Sequence, residues 1–182
     1  MSVKFNDYDY SIIRAKSDRL LEQAITFGLA RLMQPKDLEL AFGFTHTVLN
    51  ELSFANRLKL LSNFVETHPV SHFVPSGSKH EKYAIEDYQE ELTNLKIGIK
   101  LSAVAEGKRN SLIHSNWLTS PAAGPVGTVL RVKKRAKSNK TIGAMEFVSA
   151  SDIQVIVEEM ERATSLILKS ASRLHILLYV QI

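Results

Sequence analysis

The sequence predicts a mainly α-helical bundle with one β-hairpin inserted before its last helix. Apolar residues recur at helical spacing over long stretches, as in Ile85, Tyr88, Leu92, Leu95 and Ile99. Between the last two such stretches lie two short runs rich in β-formers, Val129-Leu130 with Val132, and Ile142, Met145, Phe147 and Val148, around a turn at Ser138-Asn139. Proline and glycine gather at Pro69, Pro75 and Gly77, and again at Pro121, Gly124, Pro125 and Gly127, where regular structure must stop.

The first helix is expected over about Asp7 to Met33, where Ile12, Ile13, Leu20, Leu21, Ala24, Ile25, Leu29 and Leu32 repeat at helical intervals. Pro35 separates it from the next element. Asp37 to Asn50 is ambiguous, because Leu38, Leu40, Phe42 and Phe44 alternate like a strand. Ser53 is a suitable N-cap for a helix over Phe54 to Glu66, with Leu58, Leu61 and Val65 on one face. After a loop from His68 to Ser78, a long helical pattern runs from His80 to about Trp117. Ile97, Leu101, Val104 and Ala105 continue its stripe, and Gly107 is a point of weakness or bending. The hairpin occupies about 128–148. Ser151-Asp152 starts the last helix, which buries Ile153, Ile156, Val157, Met160, Ala163, Leu166, Ile167, Ser170 and Leu174 and ends near Leu178. Residues 1–182 are read as a single domain, and no repeat or low-complexity segment interrupts them.

Composition narrows the function classes. The chain has no cysteine, which excludes disulfides, thiolate metal sites and a cysteine nucleophile. No apolar run reaches the roughly 18 residues that span a bilayer, and the start lacks a signal-peptide core. The expectation is a soluble, cytoplasmic protein without a membrane partner. Leu174 to Ile182 is apolar and short, suited to the core or to a subunit contact. No Walker loop, dinucleotide fingerprint or His-Glu-x-x-His motif occurs, so no cofactor is expected. His68, His72 and His80 read as a loop cluster rather than a metal site.

The net charge of +4 is unevenly placed. Arg131, Lys133, Lys134, Arg135, Lys137 and Lys140 fall within ten residues that hold no acid; taking these six from the 23 lysines and arginines leaves 17 against 19 acids. One basic hairpin thus carries the positive character and suits a polyanion. The plain alternative is a solvated hairpin whose lysines guard an edge.

The densest chemistry lies in Glu106-Gly107-Lys108-Arg109-Asn110-Ser111-Leu112-Ile113-His114-Ser115-Asn116-Trp117. Arginine holds phosphate through a rigid fork of donors. Histidine exchanges a proton near neutral pH. Asparagine orients an imidazole or binds a phosphate oxygen. Asn110 and His114, four apart, share a helix face; Arg109 and His114 diverge by about 140° on an ideal helix. The structural alternative is that Asn110 bonds His114 along the helix while Arg109 pairs with Glu106 or another acid.

The order Arg109-Asn110, three residues, His114, two residues, Trp117 resembles the signature of the HEPN superfamily of small helical domains, in a variant found in uncharacterised bacterial and phage-related proteins. The order of motif, hairpin and closing helix, and the stretch Leu52 to Leu61, are similar to those relatives too. The resemblance also implies helix in the second half of 37–50. Many HEPN domains are metal-independent RNases of toxin–antitoxin, abortive-infection and CRISPR systems. It therefore implies catalytic roles for Arg109 as phosphate clamp, His114 as proton-transfer residue and Asn110 as the orienting polar group, with no metal. One motif histidine per chain further implies a homodimer with two motifs in a shared cleft. RNA is the implied partner, held by Arg131, Lys133, Lys134, Arg135, Lys137 and Lys140, with Trp117 either closing the helix end or stacking on a base. An antitoxin or other protein partner fits the same setting. A toxin branch carries a modifiable tyrosine two positions after the histidine; Asn116 stands there, which argues against that control. The competing readings are a non-catalytic interaction module and a nucleotide-binding sensor.

Overall fold

The computed structural model describes residues 7–33, 43–67, 81–113, 115–118, 125, 128–132 and 145–179. Its helices are α1 (Asp7–Met33), α2 (Phe54–Thr67), α3 (Glu81–Ile113) and α4 (Ala150–Tyr179), with a short π-helical segment at Thr45–Leu49. Strands β1 (Asn116–Leu118), β2 (Thr128–Val132) and β3 (Met145–Ser149) form an antiparallel sheet in chain order between α3 and α4. The fold is a mainly helical one with an antiparallel hairpin, β2–β3, before the closing helix. No described helix is long and apolar enough to cross a membrane.

Apolar stripes decide the packing. Helix α4 is the central element, with its widest contacts to α3 and then to α1. Met160, Ala163, Ile167, Ala171 and Leu174 of α4 are buried, facing Leu21, Ala24, Ile25, Leu29 and Leu32 of α1 and Leu92, Leu95 and Ile99 of α3. Ile167 is fully enclosed, a burial that contributes about 1.5–3 kcal/mol. It fits because its neighbours are glycines. A Cβ at Gly28 would stand 3.3 Å from Ile167 Cγ2, and one at Gly98 would stand 3.0 Å from Ile167 Cγ1. Leu58, Leu61 and Val65 of α2 close the core from the side.

Polar bonds fix the helix ends. The Asn56 amide donates to Ser53 Oγ at 3.3 Å, as expected of an N-cap. Arg57 ties α2 to α1: its Nε donates to Leu52 O at 2.9 Å and its Nη1 to Thr26 Oγ1 at 3.0 Å. Arg173 bridges α4 to the buried Glu91 of α3 at 2.6 Å. Helix α4 starts in a reciprocal cap: Ser149 N donates to Asp152 Oδ2 at 2.7 Å and Asp152 N to Ser149 Oγ at 3.2 Å.

Several expectations change. Helix α3 runs through Gly107 but stops at Ile113, and Asn116–Leu118 forms a third strand instead of a last helical turn. The ambiguous region is helical where it is described, from Gly43 to Leu49, while Leu38, Leu40 and Phe42 lie outside the described residues. Leu20, Ile97 and Val104 are exposed at 48%, 40% and 51%, so the buried stripes are narrower than the apolar ones. His68, His72 and His80 lie outside the described residues.

Candidate functional site

The last turns of α3 carry a closed polar triad. Glu106 Oε1 accepts from Arg109 Nη1 at 3.1 Å and from Asn110 Nδ2 at 2.9 Å. Arg109 Nη1 also donates to Asn110 Oδ1 at 3.2 Å. Spacings of three and four residues put all three side chains on one helix face. The Arg109 side chain is 28% exposed, so its charge stands at the surface with its reach set by Glu106. The pairing of Arg109 with Glu106, left open by the sequence, is what the structure holds. Asn110 contacts Arg109 directly. His114 lies outside the described residues, so its distance to Arg109 is not part of this geometry.

Beyond the triad the helix is terminated locally. The Ser115 amide donates to Leu112 O at 3.3 Å, and its hydroxyl donates to Ser111 O, which gives partners to helix-end carbonyls. The chain then enters β1, where Trp117 stands opposite Arg131 in the strand register. The Trp117 side chain lies outside the described residues.

Arg131 occupies a different place from the one its charge indicates. In β2, Val129 and Arg131 share one face, opposite Val148 and Glu146 of β3. That face turns towards the helices: Val148 and Arg131 are buried, whereas Met145 and Phe147 on the other face are exposed. Arg131 is 6% exposed. Its Nη2 donates to Ser111 Oγ at 2.6 Å and lies 3.7 Å from Glu146 Oε2. Its Nε has no hydrogen-bond partner among the described residues. Ser111 belongs to the motif itself, so the middle strand of the sheet is pinned to the motif turn by this bond. Lys133, Lys134, Arg135, Lys137 and Lys140 lie outside the described residues.

A cleft of about 570 Å³ opens between the end of α3, the sheet and the start of α4. Gly107, Lys108, Ser111, Leu112, Arg131, Glu146, Phe147, Val148, Asp152, Val155 and Ile156 line it. Lys108 Nζ bonds both carboxylate oxygens of Glu159 at 2.6 and 2.7 Å. Asp152 is held below the ordinary aspartate range, first by the Ser149 amide and then by the Ser149 hydroxyl. The cleft thus sets two cations and two acids against apolar walls. Sequence reasoning grouped Arg131 with the hairpin's surface charge and missed Ser111 and the cleft. The signal was present in strand parity, which sends Arg131 to the same face as Val129.

Comparison with protein-family models, with curated proteins and with solved structures found no match.

Proposed function

We propose that the chain is a HEPN-like RNA-binding protein and a metal-independent endoribonuclease, working as a homodimer in a toxin–antitoxin or phage-defence setting. The observation that supports this most is the grouping of Arg109 and Asn110 in one bonded cluster at the end of α3, in the motif whose sequence continues to His114. In this reading the 2′-hydroxyl of RNA attacks the adjacent phosphorus as His114 takes its proton. Arg109 offsets the charge that develops on the phosphorane oxygens. Glu106 holds Arg109 until a phosphate competes for it. The leaving 5′-oxygen takes its proton from the second copy of His114.

An apolar strip supports the dimer. Ile97 and Val104 are exposed on one face of α3, on either side of Leu101, which is half-buried against the core. Arg109 is five residues beyond Val104, about 7.5 Å along the axis. A two-fold axis near Val104 would therefore bring two motif turns to one junction. Val104→Asp should yield a monomer in light scattering and lose cleavage together with the dimer; a fully active Val104→Asp monomer would remove the shared-cleft reading.

The direct test is cleavage of labelled single-stranded RNA in EDTA. His114→Ala and Arg109→Ala should each lower the rate by about 10²–10⁴-fold with the helical content unchanged. Cleavage by His114→Ala at the wild-type rate overturns the proposed role. Neutralising Lys133, Lys134 and Arg135 should weaken RNA binding and flatten its logarithmic salt slope by about 2 units. An unchanged slope returns the hairpin to a solvated surface. RNA that is neither bound nor cut would favour the interaction-module reading.

A further inference from the structure

We propose that the cleft at the end of α3 is a phosphate subsite, in which Arg131 and Ser111 hold the phosphate of a nucleotide next to the one that is cleaved. This deepens the RNA reading and rests on it for the identity of the ligand.

The reason is an incompletely matched buried cation. A guanidinium offers five donors in a planar fork. Arg131 is 6% exposed, yet its partners among the described residues all meet Nη2. Nε has none. Glu146 stands at 3.7 Å, beyond hydrogen-bond distance, on a side chain 49% exposed to water. Among the described residues, one hydroxyl and one carboxylate at 3.7 Å do not compensate a buried charge, and because Arg131 lines the cleft its guanidinium marks a place there for a further acceptor. Phosphate supplies oxygens in the geometry that the arginine fork matches.

The surroundings fit a nucleotide better than a bare ion. The Ser111 hydroxyl can turn to donate to a phosphate oxygen. Lys108 lies on the rim, although Glu159 now holds it. Leu112, Val155 and Ile156 give apolar wall for a ribose or a base, and the volume falls in the small-molecule range. Two acids share the cleft. Asp152 is occupied by its cap, so Glu146 is the group a phosphate must displace. Ser111 lies within one helical turn of Arg109, so the subsite adjoins the proposed phosphate clamp.

The experiment is thermal denaturation of the full chain in inorganic phosphate against chloride at equal ionic strength. Phosphate should raise the Tm of the wild type. Arg131→Gln should weaken phosphate binding by about tenfold or more, and Ser111→Ala should weaken it less. Glu146→Gln should tighten it. Lys59→Gln, at an exposed position of α2 with no part in the proposed sites, should respond as the wild type does. A saturating oligoribonucleotide should abolish the response, since RNA fills the same place.

No phosphate response in the wild type overturns the subsite, as does a response lost with the Lys59 charge. If Arg131→Gln does not fold, Ser111→Ala and Glu146→Gln decide: binding unchanged in both overturns it. A response that persists in saturating RNA overturns the nucleotide assignment. A phosphate response in a protein that never cuts RNA supports the subsite and rejects only the nuclease reading.

Discussion

Around Gly98, helix α3 is built for contact. Leu95, Ile99 and Ser102 are buried there, and the missing Cβ lets Ile167 of α4 close in. Around Gly107, nine residues on, the same helix is built for access. Among the described residues, nothing beyond its own helical turn lies within 4 Å of the Cβ that Gly107 lacks, and the neighbouring Glu106, Lys108, Arg109 and Asn110 bond one another or α4 at the surface. One helix therefore divides into an anchored middle and a polar end. Rigidity in the first holds the second in place, as a preorganised site requires.

The sharpest way to break this contrast is to empty the anchor. Ile167→Ala should cost about 2–5 kcal/mol, read by urea denaturation, because two glycine-lined walls cannot collapse onto the void. An effect below about 1 kcal/mol would mean that the helices close the gap and that the middle is not rigid. Gly98→Ala comes next. Its methyl would meet Ile167 Cγ1 at 3.0 Å, Leu166 Cβ at 3.2 Å and the Ile167 backbone nitrogen at 3.4 Å. Overpacking of about 1–3 kcal/mol should exceed the gain in helix propensity. Gly107→Ala should do the opposite and stabilise by about 0.5–1 kcal/mol, since nothing opposes the added carbon. Opposite signs at the two glycines sharpen the contrast; equal signs dissolve it.

The smallest effect concerns the start of α4 at the cleft. Asp152 has a lowered folded-state pKa, so its cap stabilises above the ordinary aspartate value of about 3.9 and is lost as pH falls through the lowered value. Asp152→Asn should therefore reduce the Tm at neutral pH, with the difference from wild type shrinking as the pH falls below the ordinary aspartate value.

Much of the fold could be read from the chain because burial follows period. Leu58, Leu61 and Val65 define one face of α2, and the stripe from Met160 to Leu174 defines α4, as the pattern requires. What failed has physical causes. Three residues of β1 are too few to show a period of two, and their partner strand follows only after a stretch rich in proline and glycine. Leu20 adjoins Leu21 and Val104 adjoins Ala105; residues side by side in sequence point about 100° apart, so only one of each pair reaches the core, and Ile97, two residues from Leu95, points about 160° from it. Glu106 was legible as a partner for Arg109, while its bond to Asn110 at spacing four was missed because Asn110 was matched with His114 instead. Arg131 was not read correctly in its surroundings, because its place among lysines spoke of the surface while the alternation with Val129 pointed inward.

The central claim is that the polar end of α3 directs the 2′-hydroxyl of RNA onto its own phosphate. The termini of RNA cut by the purified full chain in EDTA test it most directly. The account predicts fragments ending in a 2′,3′-cyclic phosphate and a free 5′-hydroxyl, absent when Arg109 is replaced by alanine. Fragments with 5′-phosphate and 3′-hydroxyl ends, or intact RNA at every pH tried, would contradict it.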